Sequence, residues 1–120
     1  MTARMRLGAL GEDAAAGLLE KAGYKVLKRN HRCRLGEVDL IAEQGALLVF
    51  VEVRTRATAA FGAPAATVSP AKQRKVITAA RDFLARWRGP ERGVRFDVIS
   101  VVDAPGGPVL EHIPAAFEAF

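Results

Sequence analysis

The stretch VDLIAEQGALLVFVEVRTR, Val38 to Arg56, holds two apolar runs, Val38–Ala42 and Leu47–Val53, on either side of Glu43-Gln44-Gly45-Ala46. Short length, β-branched residues and a glycine-bearing gap predict a β-hairpin. With Gln44-Gly45 at the centre of the turn, Asp39 lies opposite Phe50 and Glu37 opposite Glu52. Alternation then puts Glu37, Asp39, Phe50, Glu52 and Arg54 on one face and turns Val49, Val51 and Val53 toward a core. Carboxylates that face one another across strands are destabilising. Three on one face therefore point to a cation among them, and hard oxygen donors suit Mg²⁺ or Mn²⁺. Arg54, two residues beyond Glu52 on the same face, is placed to meet an anion bound to that cation. A metal, carboxylates and a cationic side chain are the components of phosphodiester hydrolysis. The competing reading is a solvated hairpin face with a Glu52–Arg54 surface pair.

Composition bounds the rest. A chain of 120 residues, half of them hydrophobic, suits a single domain spanning residues 1–120 with a sizeable core. The formal net charge of +5 favours an anionic partner, nucleic acid before an acidic membrane surface. The lone cysteine, Cys33, forms no disulfide within the chain and fits a reducing compartment. No apolar run approaches the roughly 18 residues of a membrane span. The N-terminal MTARMRLGALGED lacks the apolar centre of a signal peptide. These features predict a cytoplasmic protein with no membrane partner.

Upstream of the hairpin, Leu7, Leu10, Ala14, Leu18 and Leu19 recur at helical spacing and predict a helix over Arg6–Gly23. Glu12 lies in it among Gly8, Gly11, Ala14 and Ala15, small residues that allow close approach to a sheet. That acid is either part of a metal site or a solvated glutamate near the helix start. Tyr24–Leu27 reads as a short strand. The basic run Lys28–Arg34 follows, serving either phosphate contact or the protection of a strand edge by charge. His31 and Cys33 lack the second ligand pair that zinc needs, and no nucleophile triad or phosphate-binding glycine loop is present.

Downstream, Thr55–Val68 lacks periodicity and predicts a mobile loop, either a cover for substrate or a plain surface loop. Ser69-Pro70 is an N-cap followed by a first-turn proline. It opens a helix whose buried stripe is Val76, Ile77, Ala80, Phe83, Leu84 and Trp87 and which ends at Gly89-Pro90. Lys72 sits in its first turn, where a cation opposes the helix dipole; it is either a phosphate ligand beside free N–H groups or an ordinary exposed lysine. Val94–Val102 predicts a third long strand with Asp97 as an edge or structural acid, and Val109–Ile113 a last strand after a turn at residues 105–108. The order α-β-β-β-α-β-β makes a mixed α/β (α+β) domain.

These residues carry a resemblance. Gly8-x-x-Gly11-Glu12-x-x-Ala15, Arg29-Asn30, Gly36-Glu37-Val38-Asp39-Leu40-Ile41, Phe50-Val51-Glu52-Val53-Arg54-Thr55-Arg56, Lys72, Arg95-Phe96-Asp97-Val98 and Ala116-Phe117 stand in the order of the YraN-like family, which the chain resembles over nearly its whole length. The resemblance implies a restriction-endonuclease-like αβββαβ core, related to Holliday-junction resolvases, with a mixed central sheet flanked by helices. In that wider fold an acid is followed on the next strand by an acid-x-lysine. Asp39 and Glu52 correspond to the two acids, implied ligands of Mg²⁺ or Mn²⁺ together with the Val53 carbonyl. Glu12 looks like the first-helix acid near the metal. Arg54 stands in place of the usual lysine; it stays protonated and cannot act as a base, but it can stabilise charge on the scissile phosphate.

The resulting expectation is a metal-dependent endonuclease acting on DNA, with branched or recombination intermediates among its substrates and a homodimer as its assembly. Asp39, Glu52, Glu12 and Arg54 form the expected catalytic set, and Lys72, Arg56, Arg29 and Arg34 the expected nucleic-acid contacts. The alternatives are a non-catalytic nucleic-acid-binding module of the same fold and a protein-interaction adaptor.

Overall fold

The structure is a computed structural model that describes residues 3–57 and 68–119. Helix α1 spans Ala3–Lys21, strand β1 Lys25–Cys33, β2 Gly36–Gln44, β3 Leu47–Arg56, helix α2 Pro70–Ala85, β4 Gly93–Ala104 and β5 Gly107–Phe117. The strands form one sheet in the order β1-β2-β3-β4-β5. Among the described strands only β3 and β4 pair in parallel, so the sheet is mixed, and α2 lies in the crossover that joins them.

Each helix covers one face. Ala15, Ala16 and Leu19 of α1 pack on Leu40, Ala42, Val49, Val51, Ile99 and Val101. On the other side Val76, Ala79 and Ala80 of α2 pack on Val38, Ile41, Leu48, Phe50 and Phe96. Strands buried on both faces read as continuous apolar runs, which is why Leu47–Val53 shows no polar alternation until Glu52. The predicted order of elements and the mixed architecture hold. So does the α2 start: Ser69 Oγ accepts from Lys72 N at 3.1 Å, with Pro70 in the first turn.

Three details differ from the expectation. The β2–β3 turn is Gly45-Ala46, not Gln44-Gly45, since Gln44 pairs with Leu47 and Ile41 with Phe50. Gly45 supplies the positive φ, 57°, that a two-residue hairpin needs at its first position. The register therefore moves by two residues, an even shift that keeps side-chain alternation on β3 unchanged.

Second, β2 does not present one unbroken acidic face. Val38 packs on the α2 side and Leu40 on the α1 side, although strict alternation would put both on the same side. The slip falls at Asp39. Across from it Asn30, between the pairs Arg29↔Leu40 and His31↔Val38, takes a φ of 53°, a conformation that asparagine tolerates.

Third, β1 is longer than predicted, because the basic run continues the strand to Cys33. It is the sheet edge, and of Lys28 to Cys33 only His31 is buried. The predicted loop lies for the most part, over residues 58–67, outside the described residues; Thr55 and Arg56 still belong to β3. No described helix is long and apolar enough to cross a membrane.

Candidate active site

At the Asp39 end of the hairpin the β2–β3 ladder opens. Its last pair is Leu40↔Val51. One residue further, Asp39 Oδ2 accepts a hydrogen bond from Val53 N–H at 2.8 Å, so a carboxylate takes the place that a strand carbonyl would fill. The N–H and C=O of one strand residue point to the same neighbour. The Val53 carbonyl therefore opens toward the same notch. Glu52, 5% exposed, stands beside it. Burial, followed by the hydrogen bond to Asp39 and its charge, pushes the Glu52 carboxyl up to about 9. Two carboxylates thus share a partly dry notch, and one of them holds a proton at neutral pH.

A lysine does reach these acids, from α2. Lys72 Nζ donates to Glu37 Oε1 at 2.8 Å and lies 3.3 Å from Glu52 Oε2. The hydrogen bond and charge of Lys72 hold Glu37 below the usual carboxylate range. Partial burial would lower the ammonium, but the bond to Glu37 and the charges of Glu52 and Glu37 outweigh it, so Lys72 stays above its ordinary value. The docking that brings it here depends on Gly36. A Cβ there would stand 2.5 Å from the Lys75 carbonyl oxygen and 2.7 Å from Ala79 N, so only glycine lets α2 settle this close to β2.

Glu12 approaches from the other face. It lines a hollow of about 280 Å³ with Leu7, Gly8, Asp39, Val53 and Thr55. Burial first, then the Asp39 charge, raises its carboxyl, while a hydrogen bond to Asn30 opposes them. Its Oε1 is buried without a hydrogen-bond partner. Gly11 allows the approach, since a Cβ there would clash with the Thr55 side chain. The predicted close packing of the small residues on α1 against the sheet is thereby met at Gly11.

The remaining predicted residues separate. Arg54, with Asp39, Glu52, Val53 and Lys72, lines a cleft of about 580 Å³. Arg56 donates to Ser100 Oγ at 3.3 Å and is part-buried. Arg29 pairs with Asp13 at 2.6 Å and raises the positive potential near Glu12. Arg34 is exposed in the β1–β2 turn. Asp97, fully buried on an interior strand, accepts from both Nε and Nη2 of Arg95, from Ala115 N at 3.0 Å, and meets His112 Nε2 at 2.7 Å. It is a structural acid tying β5 to β4, as its place in an apolar strand suggests.

Two participants escape a residue-by-residue reading. Asn30, with its left-handed backbone, hydrogen-bonds Glu12. Glu37 belongs with Lys72, 35 residues away, rather than with a cross-strand glutamate. No local pattern reveals either, although a lone lysine in the first turn of a helix is a signal that Lys72 has a partner.

Among the described residues no group of three His, Cys, Asp or Glu side chains converges as a metal-binding set. The donors that do converge are Asp39, Glu52 and the Val53 carbonyl. Two carboxylates and a carbonyl, with positions left for water and phosphate oxygens, fit Mg²⁺ or Mn²⁺. Burial first, and Asp39 beside it, disfavour the charged form of Glu52, and a cation in the notch would offset both.

The sequence model of the family described as "Uncharacterised protein family UPF0102" matches residues 11–101, a span that holds every residue of this cleft. A UPF0102 protein of Anaeromyxobacter dehalogenans (strain 2CP-C) is 49% identical over 115 residues, which cover 96% of this chain and 86% of the relative. One from Geobacter sulfurreducens is 49% identical over 93% of this chain and 88% of its own length. One from Nocardia farcinica (strain IFM 10152) is 44% identical over 95% of this chain and 91% of its own.

Proposed function

The chain belongs to the UPF0102 family, and from that premise we propose that it is a metal-dependent endonuclease-like protein that hydrolyses phosphodiester bonds in DNA, branched intermediates included. The observation that carries this reading is the opened end of the hairpin. There Asp39, Glu52 and the Val53 carbonyl face one notch with Lys72 beside it.

Asp39 and Glu52 would hold Mg²⁺ or Mn²⁺, with Glu12 assisting from α1. Such an ion lowers the pKa of bound water and offsets phosphate charge. The protein's own groups do the rest. Asp39 is fixed by Val53 N–H, so one oxygen is already oriented. Lys72 stays protonated and is no general base; its role is to stabilise negative charge developing on the phosphate. It fills, from α2, the place that the fold's pattern assigns to a lysine on β3. Arg54 adds a second cation at the mouth of the same cleft. Arg29, Arg34 and Arg56, outside the cleft itself, would supply sequence-independent attraction for the backbone.

A specific observation favours the second reading, a nucleic-acid-binding module without cleavage. Lys72 already pairs with Glu37 at 2.8 Å and lies 3.3 Å from Glu52 Oε2, so a cation stands beside these acids without a metal. The deciding experiment is cleavage of a labelled four-way DNA junction in Mn²⁺ or Mg²⁺, with Glu52→Gln prepared in parallel. Cleavage by the wild type alone supports the endonuclease. Salt-sensitive binding without cleavage by either protein supports the module. Equal cleavage by both overturns the assigned site.

A further inference from the structure

The β1–β2 hairpin ends in a leucine that nothing in the fold requires. Cys33 pairs with Gly36, leaving Arg34-Leu35 as the turn. Leu35 is 73% exposed. Neither turn residue takes a positive φ, so this is not one of the favoured two-residue turns. The position of the tip follows instead from Gly36, wedged against the α2 backbone. Packing does not call for Leu35, and turn chemistry does not either.

A single exposed leucine is ordinary; the company of this one is not. Arg32, Arg34 and Lys75 are exposed around it and line a hollow of about 340 Å³ with Leu35, Gly36 and Glu37. Glu37 is also the partner of Lys72. The apolar tip, its ring of cations and the carboxylate notch are therefore contiguous. Phosphates attracted to the three cations would bring the base stack against the leucine side chain.

We propose that Leu35 is an apolar wedge that inserts into the base stack of DNA bound at the notch, while Arg32, Arg34 and Lys75 hold the flanking phosphates. Apolar side chains between base steps are a known means of kinking DNA, and unstacking is repaid by added contact. The cost is least where bases are already unpaired or mismatched. The wedge thus selects branch points over continuous duplex. This inference rests on the DNA reading above.

The test uses a four-way DNA junction with 2-aminopurine at the branch point and a plain duplex of the same sequence, both in EDTA so that no strand is cut. Wild-type protein is expected to raise the fluorescence of the junction by unstacking the probe. Leu35→Ala should abolish most of that rise and weaken junction binding about tenfold, with plain-duplex affinity little changed. The slope of log affinity against log salt should stay the same, because no phosphate contact is lost. Arg34→Ala should do the reverse, reducing that slope by about 0.9 while keeping the fluorescence rise. Equal fluorescence and affinity for wild type and Leu35→Ala overturn the wedge and leave the nuclease reading intact. Absence of DNA binding by the wild type overturns both. Leu35 is exposed, so its removal does not threaten folding.

Discussion

Replacing Glu52 with glutamine should stabilise the metal-free protein, and the gain should grow with pH. In the unfolded chain Glu52 titrates at its ordinary 4.5; in the folded chain burial beside Asp39 pushes it to about 9. Between those values the folded state holds a proton that the unfolded state has released. Stability is therefore fully present below the unfolded value and falls as pH rises, by ~1.4 kcal/mol per pH unit. From pH 6 to pH 8 this amounts to about 2.7 kcal/mol, on the order of 10 °C in Tm for a chain of this size. The glutamine side chain is neutral throughout and keeps an amide to offer Asp39. Asp97 and Glu37 are lowered and Lys72 is raised, so none of these titrates in that window. Thermal unfolding of both proteins at pH 6, 7 and 8 in EDTA isolates the effect. Divergent curves, with the variant increasingly more stable, are expected. Parallel curves would refute the account of Glu52 as a buried, proton-holding carboxylate. Cations bind the carboxylate form, so Mn²⁺ should narrow the gap in the wild type.

Lys72→Met should lower junction cleavage by about 10²–10³ if Lys72 stabilises phosphate charge, while changing Tm little, because its partner Glu37 is solvent-exposed enough to lose the pair cheaply and Glu52 is protonated at neutral pH; single-turnover assays with matched melting curves separate the two. Gly36→Ala should cost roughly 1–3 kcal/mol, since the new methyl meets α2 backbone that cannot step aside. Gly17→Ala, in the interior of α1 with nothing within 4 Å of the added Cβ, should gain about 0.5–1 kcal/mol; urea unfolding of the pair checks both signs. Asp97→Asn should cost on the order of 3–5 kcal/mol by leaving the Arg95 charge without its carboxylate. Because Asp97 is held below its ordinary 3.8, the wild type's advantage should be present above that value and shrink as pH falls below it.

The sequence by itself determined the order of the elements, the hairpin, the capped start of α2 and the two acids at the hairpin's open end. These are local properties: a period of two, a glycine in a tight turn, a serine before a proline, an acid inside a valine run. Even the misplaced turn did little harm, because a register error of two preserves which side chains on β3 share a face. The slip at Asp39 was beyond reach of local pattern, since it falls opposite Asn30 of another strand, which takes a left-handed backbone. Tertiary structure alone decided that a lysine stands beside these acids. Lys72 reaches Glu37 and Glu52 because α2 docks on β2 against a bare Gly36, and no spacing within the hairpin encodes that approach. Burial decided the protonation of Glu52 as well. A carboxylate's charge state depends on the water and charges around it, which the folded packing of both helices on the sheet creates.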